Sequence, residues 1–375
     1  MGQNLRIFWF SGRKIGSDLA ATTELGLGKS LRDRGNTLHL VSPEGKVARE
    51  FSEHSFFRRW NISGLQTFSG GFYARRLARS CPEIVSSDAI LVDWRLVGAL
   101  SKTLQKMKIP WFIIDRGPPA YDGILAWIQK IFWKRAWKIA QSFASGGFVV
   151  SEGHREFVRK NAKLTDSLEI SVIPAGTDIE GFSERKKKIG DELKMAYVGR
   201  VDRNRGVDGI EKLANRLREM GINSTIFVAG EGDMKEQLTL TQGKDRGVDI
   251  QIIGKISRKQ VRRLLEDCHI GIMPMPDKEI WRISSPLKLA EYAAAGLLTI
   301  GPDHIGNRIG SEECWSILID GEWQIDCINR IIEIRNSGKW EEHAESAREA
   351  AKRLDWSHIA KTMEDDMMRM ANINC

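Results

Sequence analysis

Ser284, Ser285 and Pro286 lead into Leu287-Lys288-Leu289-Ala290-Glu291-Tyr292 and then a run of alanines ending at Gly296. Serine at a cap position and proline at the first helical position both favour starting a helix here, with Ser285 as the cap. A helix N-terminus presents backbone N–H groups and the positive end of its dipole, and both attract phosphate. Lys288 falls in the first turn and adds a point charge. Glu291 follows one turn later, placed to accept hydrogen bonds from a vicinal diol such as a ribose. Ala293–Ala295 and Gly296 call for close backbone packing.

A second group of residues has matching chemistry. Tyr197-Val198-Gly199-Arg200-Val201-Asp202-Arg203-Asn204-Arg205-Gly206 reads as a strand end at Gly199 and a basic loop before a helix. From that loop Arg200 and Arg205 can meet a diphosphate with bidentate geometry. Val228-Ala229-Gly230-Glu231 and Ile253-Gly254-Lys255-Ile256 close two further strands. Glycine lets backbone approach a ligand closely, and main-chain groups of Lys255 and Ile256 could read a base edge. Gly28-Lys29-Ser30 imitates the end of a phosphate-binding P-loop, but the glycine needed five residues earlier is Thr23.

These residues follow strands in an alternating pattern. Apolar runs at Leu5–Phe10, Thr37–Val41, Ala89–Trp94, Trp111–Arg116 and Gly147–Ser151 alternate with helix-length amphipathic stretches. The pattern repeats at Lys194–Arg200, Thr225–Gly230, Asp249–Gly254, Ile270–Met275, Leu298–Gly301 and Ile317–Asp320. Such alternation predicts α/β architecture, a parallel sheet with helices on both faces, formed twice. The length of 375 residues suits two domains. We expect a first domain over 1–183, a charged linker over 184–193, a second domain over 194–355 and a helix over 356–375. Doubly wound sheets bind ligands beyond the carboxyl ends of their strands, where the residues named above fall.

The chain resembles the retaining glycosyltransferases of family 4. The resemblance runs through most of the chain in one order: Leu19–Val41 ending in Arg34-Gly35-Asn36, Val150-Ser151-Glu152, Ile173-Pro174-Ala175-Gly176-Thr177-Asp178 with Phe182, and Gly199-Arg200 with Arg205-Gly206. Gly230-Glu231-Gly232, Gly254-Lys255-Ile256, Ser285–Gly296 and Leu354–Ala360 complete it. It implies the GT-B fold, two Rossmann-like doubly wound domains facing across a cleft, with the helix from Trp356 crossing back onto the first domain. It implies a nucleotide-diphosphate sugar, UDP or GDP, as donor substrate, with no cofactor and no metal. Arg200 and Arg205 would hold the donor diphosphate, Glu291 the ribose, and Lys255 and Ile256 would flank the base. Gly12 and Gly16, after the first strand, would face the phosphates.

The sequence departs from that family at two places. The glutamate usual eight residues before the ribose-binding one is Ile283, leaving Asp277 and Glu279 as candidate sugar contacts. The usual first-domain histidine is replaced by the region Asp115-Arg116-Gly117-Pro118-Pro119, where Asp115 or Arg116 could orient sugar or acceptor. His154 reads as a solvated surface histidine. Two other readings stay open: an inactive donor-binding or scaffold subunit, and a GT-B sugar-nucleotide epimerase.

The chain carries 57 Lys+Arg against 49 Asp+Glu, a net charge of +8. No nucleic-acid-binding motif accompanies that charge, so nucleic acid is not expected as a partner. Ile124–Ile139 sets Lys130, Lys134 and Lys138 beside Trp127, Trp133 and Trp137 at helical spacing, the pattern of an interfacial helix. A peripheral association with an anionic membrane surface, and a lipid-linked or glycan acceptor, are the matching expectations. Five scattered cysteines and no apolar leader favour the cytoplasm, on the inner face of the cell membrane.

Overall fold

The computed structural model describes residues 4–16, 21–62, 65–119, 123–183, 189–308 and 315–373. The chain forms two compact units, Met1–Pro174 with Trp356–Cys375, and Ala175–Asp355.

The first unit runs β1 (Arg6–Phe10), α1 (Ala21–Asp33), β2 (Thr37–Pro43), β3 (Glu53–Phe57), α2 (Gln66–Ser80), β4 (Ala89–Asp93), α3 (Trp94–Met107), β5 (Trp111–Ile114), α4 (Ile124–Phe143), β6 (Gly146–Val149), α5 (Glu152–Ala162) and β7 (Ile170–Val172). Its strands pair in parallel in the order β3-β2-β1-β4-β5-β6-β7. Helices cover both faces, so β4, Ala89-Ile90-Leu91-Val92-Asp93, is buried along its whole length. The edge strand β3 was not legible in the sequence, because Glu53-His54-Ser55 is polar and half exposed.

The second unit runs β8 (Leu193–Val198), α6 (Gly209–Glu219), β9 (Ser224–Ala229), α7 (Lys235–Thr239), β10 (Gly243–Asp245), β11 (Val248–Gly254), α8 (Arg258–Asp267), β12 (Ile270–Ile272), α9 (Glu279–Arg282), α10 (Leu287–Ala294), β13 (Leu298–Pro302), β14 (Ser316–Ile319), α11 (Trp323–Ser337) and α12 (Trp340–Lys352). The sheet order is β10-β11-β9-β8-β12-β13-β14, parallel except for the exposed hairpin strand β10.

Residues 175–183 group with the second unit, although the sequence reading placed them in the first. Thr177 bridges in parallel to Asp355, Asp178 pairs with Arg262 at 2.9 Å, and Phe182 packs into the second unit's core. Of the expected linker, 184–188 lie outside the described residues.

The last helix, α13 (Trp356–Ala371), groups with the first unit and packs on α1. A Cβ on Gly26 would lie 2.5 Å from the Trp356 indole, so only glycine lets the helices come this close. Buried Glu364 pairs with Arg34 at 2.5 Å and accepts from the Asn36 amide at 3.2 Å. Asn36 also accepts the Leu5 N–H at 3.0 Å. The Arg34-Gly35-Asn36 turn thus ties β1, the end of α1 and α13 together.

Two expectations for the first unit are corrected by burial. Asp115 is fully buried, accepting hydrogen bonds from Trp133 Nε1 at 2.6 Å and Trp137 Nε1 at 2.9 Å, with His154 Nε2 at 3.6 Å. It therefore anchors α4 and α5 to β5 and presents no oxygen to a substrate. His154 is not a solvated surface residue but has no solvent exposure. Burial favours the neutral acid most strongly at Asp115, yet the His154 ring and the two indole N–H groups prevail and hold its pKa at about 2. The same contacts bury Trp133 and Trp137, so Trp127, 65 % exposed, is the tryptophan of the three that α4 presents to solvent.

Candidate functional site

The site in the second unit is built where the strand order reverses. β8 runs in the middle of the sheet, with β9 on one side and β12 on the other. Strands on either side of such a switch diverge at their carboxyl ends and leave a crevice. Tyr292 of α10 spans that divergence, its hydroxyl accepting the Val198 N–H at 3.1 Å and donating to the Ile272 carbonyl at 3.3 Å. Its ring lies where a Cβ on Gly271 would be, 2.4 Å away, which explains glycine inside β12. α10 is thereby fixed against the strand ends, and Ala293 and Ala295 are buried with Ala347, Ala350 and Ala351 of α12 and its end.

Lys288, in the first turn of α10, is buried, and its Nζ has no hydrogen-bond partner among the described residues. The ammonium lies 4.2 Å from the centre of the Tyr197 ring. Burial, and secondly the charge of Arg205, push its pKa well below the usual lysine value, with Glu291 acting the other way. A Cβ on Gly199, at φ +146°, would lie 3.2 Å from Lys288 Nζ, so any other residue here would crowd the ammonium. Glu291 is partly buried, and burial lifts its pKa to about 7 against the pull of Arg258, Arg262 and Lys288.

Three glycines close neighbouring strands at this edge. The Gly199 N–H donates to Ala229 O at 2.9 Å, and the Gly230 N–H donates to Gly254 O at 2.8 Å. A Cβ on Gly230, at φ +153°, would sit 1.7 Å from the Gly199 oxygen. The backbone here is too close to admit any other residue.

Arg200 and Arg205 occupy different positions. Arg200 is more than half exposed and paired with Asp202, Nε to Oδ2 at 2.6 Å. Arg205 is held between Asp202 at 4.0 Å and the Trp281 ring, with its guanidinium carbon 5.1 Å from the ring centre. Trp281 in turn donates from Nε1 to the Asn204 carbonyl at 3.0 Å. Lys255 is exposed and its N–H donates to Glu231 at 3.3 Å, while Ile256 is partly buried.

Ser285 does not cap α10 as expected. Pro286 stands at the N-cap, without a side-chain cap, and the Ser285 hydroxyl accepts the Ala175 N–H at 2.8 Å. Ser284 donates to Trp281 O at 2.7 Å. Asp277 is engaged with Arg282, Nη2 to Oδ2 at 2.6 Å, and Glu279 is exposed at the start of α9. Ile283 is buried. Among the described residues, no three His, Cys, Asp or Glu side chains gather as metal ligands.

The architecture has solved counterparts over its full length. A glycosyltransferase from Rickettsia africae matches with a TM-score of 0.74 at 14 % identity, covering 99 % of this chain and 100 % of that one. Sucrose-phosphate synthase from Thermosynechococcus elongatus matches at 0.71 and 15 % identity, with the same coverage. The fold is GT-B. HepE from Anabaena, solved in complex with UDP-glucose, matches at 0.69 and 14 % identity, covering 98 % of this chain and 100 % of that one. Residues 178–353, nearly the whole second unit, match the family described as glycosyl transferases group 1. No curated protein sequence matches the chain.

In the GT-B frame, Lys288, Glu291, Arg205 and Gly199 share the carboxyl edge of the second sheet, whereas Asp115 lies inside the first unit's core. Arg116, beside it, is half buried, its Nη1 donating to Ile173 O at 2.7 Å. Gly12 backs onto Arg95 and Asp93, and a Cβ on Gly16, at φ +86°, would meet the Lys46 side chain at 2.6 Å. Trp281 carried no signal of its own in the sequence, since an aromatic in a short helix or loop reads equally as core.

Proposed function

We propose that the protein is a retaining glycosyltransferase of family 4 that moves a sugar from UDP or GDP to a hydroxyl of a lipid-linked or glycan acceptor. The observation that carries this reading is the buried Lys288 ammonium, which has no hydrogen-bond partner among the described residues, in the first turn of α10 and near Arg205. A buried cation lacking a partner is costly, and a diphosphate delivered to the helix end supplies that partner and gains from the helix dipole. Glu291, one turn along, accepts the ribose hydroxyls. Arg205 neutralises charge on the departing diphosphate, with Arg200 at the outer side of the same loop.

The chemistry asks little more of the protein. As the bond from the anomeric carbon to the diphosphate oxygen breaks, the acceptor oxygen attacks from the same face and its proton passes to the leaving phosphate oxygen. Pre-placed positive groups stabilise the charge that develops there. Measuring nucleotide release from a panel of UDP- and GDP-sugars, with and without a membrane extract, tests the proposal. Binding without turnover across the panel would instead favour the scaffold reading, which the apolar Ile283 keeps in view.

The membrane reading has its own support. Along α4, Ile124, Trp127, Ile128, Ile131 and Phe132 are exposed at helical spacing, opposite the buried Trp133, Ala136, Trp137 and Ala140. On α2, Phe68 and Phe72 are exposed beside Arg76 and Arg79. Neither helix contains an acidic residue. Aromatic and aliphatic groups among lysines and arginines suit the headgroup region of an anionic leaflet.

A further inference from the structure

Two buried phenols brace one turn of the candidate site. β8 and β12 pair in parallel at Met195 with Ile270 and at Ala196 with Gly271, and their pairing ends there. Beyond it the Tyr292 hydroxyl stands between the strands, accepting from Val198 of β8 and donating to Ile272 of β12. A single oxygen thus replaces a direct bond between the strands and sets how far they part. On the other side of β8, pairing with β9 continues to Val198, and the Gly199 N–H reaches Ala229 O.

The second phenol closes the turn that follows. Tyr197, without solvent exposure, donates its hydroxyl proton to the Arg200 carbonyl at 2.5 Å, three residues on. Gly199, at φ +146°, lies inside that turn. The turn is therefore held at Val198 by one hydroxyl and at Arg200 by the other. Burial pushes the pKa of both phenols up, so each keeps the proton it donates.

Both tyrosines also meet Lys288. Tyr292 lies four residues after it on the same face of α10, and the Tyr197 ring faces its ammonium. A Cβ added at Gly199 would lie 3.2 Å from Lys288 Nζ and 3.5 Å from the Tyr197 hydroxyl oxygen, so ammonium, phenol and turn converge. Phenylalanine would fill nearly the same volume in either place. What the hydroxyls add is a fixed path for the backbone past Lys288.

We infer that Tyr197 and Tyr292 are positioning residues for the donor diphosphate, setting the Gly199 turn against Lys288 through their hydroxyls. This rests on the glycosyltransferase reading, in which Lys288 meets that diphosphate.

Ligand-observed NMR titrations with uridine, UDP, guanosine and GDP test the inference. Y197F and Y292F should each cut the gain in affinity from nucleoside to nucleoside diphosphate about five- to tenfold, the worth of one hydrogen bond. Affinity for the nucleoside itself should stay within about twofold, since no contact to it is removed. K288M should cut the gain at least as far, and Y73F, in α2 of the first unit, should leave it intact. If K288M cuts the gain while both phenylalanine variants, shown to be folded by their melting temperatures, keep it, the positioning role is overturned and the donor site stands. Equal weakening of nucleoside and diphosphate in those variants also overturns the role, by making the hydroxyls general supports of the fold. If neither diphosphate binds the native protein better than its nucleoside, the donor reading itself falls and takes the role with it.

Discussion

The Lys288 ammonium lies 4.2 Å from the Tyr197 ring centre, buried and without a hydrogen bond to any described residue. The ring face offers partial compensation for lost water, but not the hydrogen bonds that three N–H donors require. Stability and function should therefore pull in opposite directions here. K288M should leave the unliganded protein as stable or more stable, because it removes a desolvated charge. It should lower kcat/KM by about 10- to 100-fold, the worth of a charge-assisted hydrogen bond. Thermal melts set beside donor kinetics decide this, and a variant both less stable and fully active would contradict it.

Glu291 gives the proposed donor site a pH dependence. With its folded pKa raised to about 7, the folded state holds a proton that the unfolded chain has released above the ordinary glutamate range. Its contribution to stability is thus fully present below that range and is lost as pH rises through about 7. E291Q should accordingly stabilise the protein at pH 8 and make little difference at pH 4. Binding runs the other way, since the ionised carboxylate is the better acceptor for ribose hydroxyls. Donor affinity should rise with pH through about 7 in the native chain and stay flat in E291Q.

D115N tests the structural role of Asp115. The variant would put an amide beside two indole N–H donors and His154, at a cost of roughly 3 kcal/mol. Because the native carboxylate is depressed to about 2, its contribution is present above the ordinary carboxylate range and fades as pH falls towards about 2. The gap between native and D115N in urea unfolding should therefore narrow in acid. Donor turnover per folded molecule should be little changed, and a catalytic Asp115 would instead give a stable, inactive variant.

Trp281 steadies Arg205 from one side. W281A removes a cation–π contact worth about 0.5–1 kcal/mol and the hydrogen bond to Asn204, so donor KM should rise several-fold while kcat changes less. Equal loss of both would mean that Trp281 reaches the transition state itself.

Charge reversal at Lys130, Lys134 and Lys138 should release the protein from anionic liposomes in sedimentation. Replacing exposed Trp127 should do so partially, whereas retained binding in both would remove α4 as the contact.

Much of this protein was legible in its residue order. Alternating apolar runs and amphipathic stretches specified two doubly wound α/β units, because hydrophobic periodicity is a local consequence of which face is buried. Glycines closing strands and the Lys288–Glu291 spacing were legible as a cluster following strand ends for the same reason. Tertiary packing decided what each polar group does there. Whether a carboxylate anchors a core or meets a ligand depends on neighbours far along the chain, and Asp115 was claimed by Trp133, Trp137 and His154. Ser285 was taken by Ala175 rather than by its own helix. Lys288 owes its chemistry to being buried between Tyr197 and Gly199. Sequence spacing fixes which residues a turn brings together, but only the folded chain sets the desolvation and the partners that govern a charge.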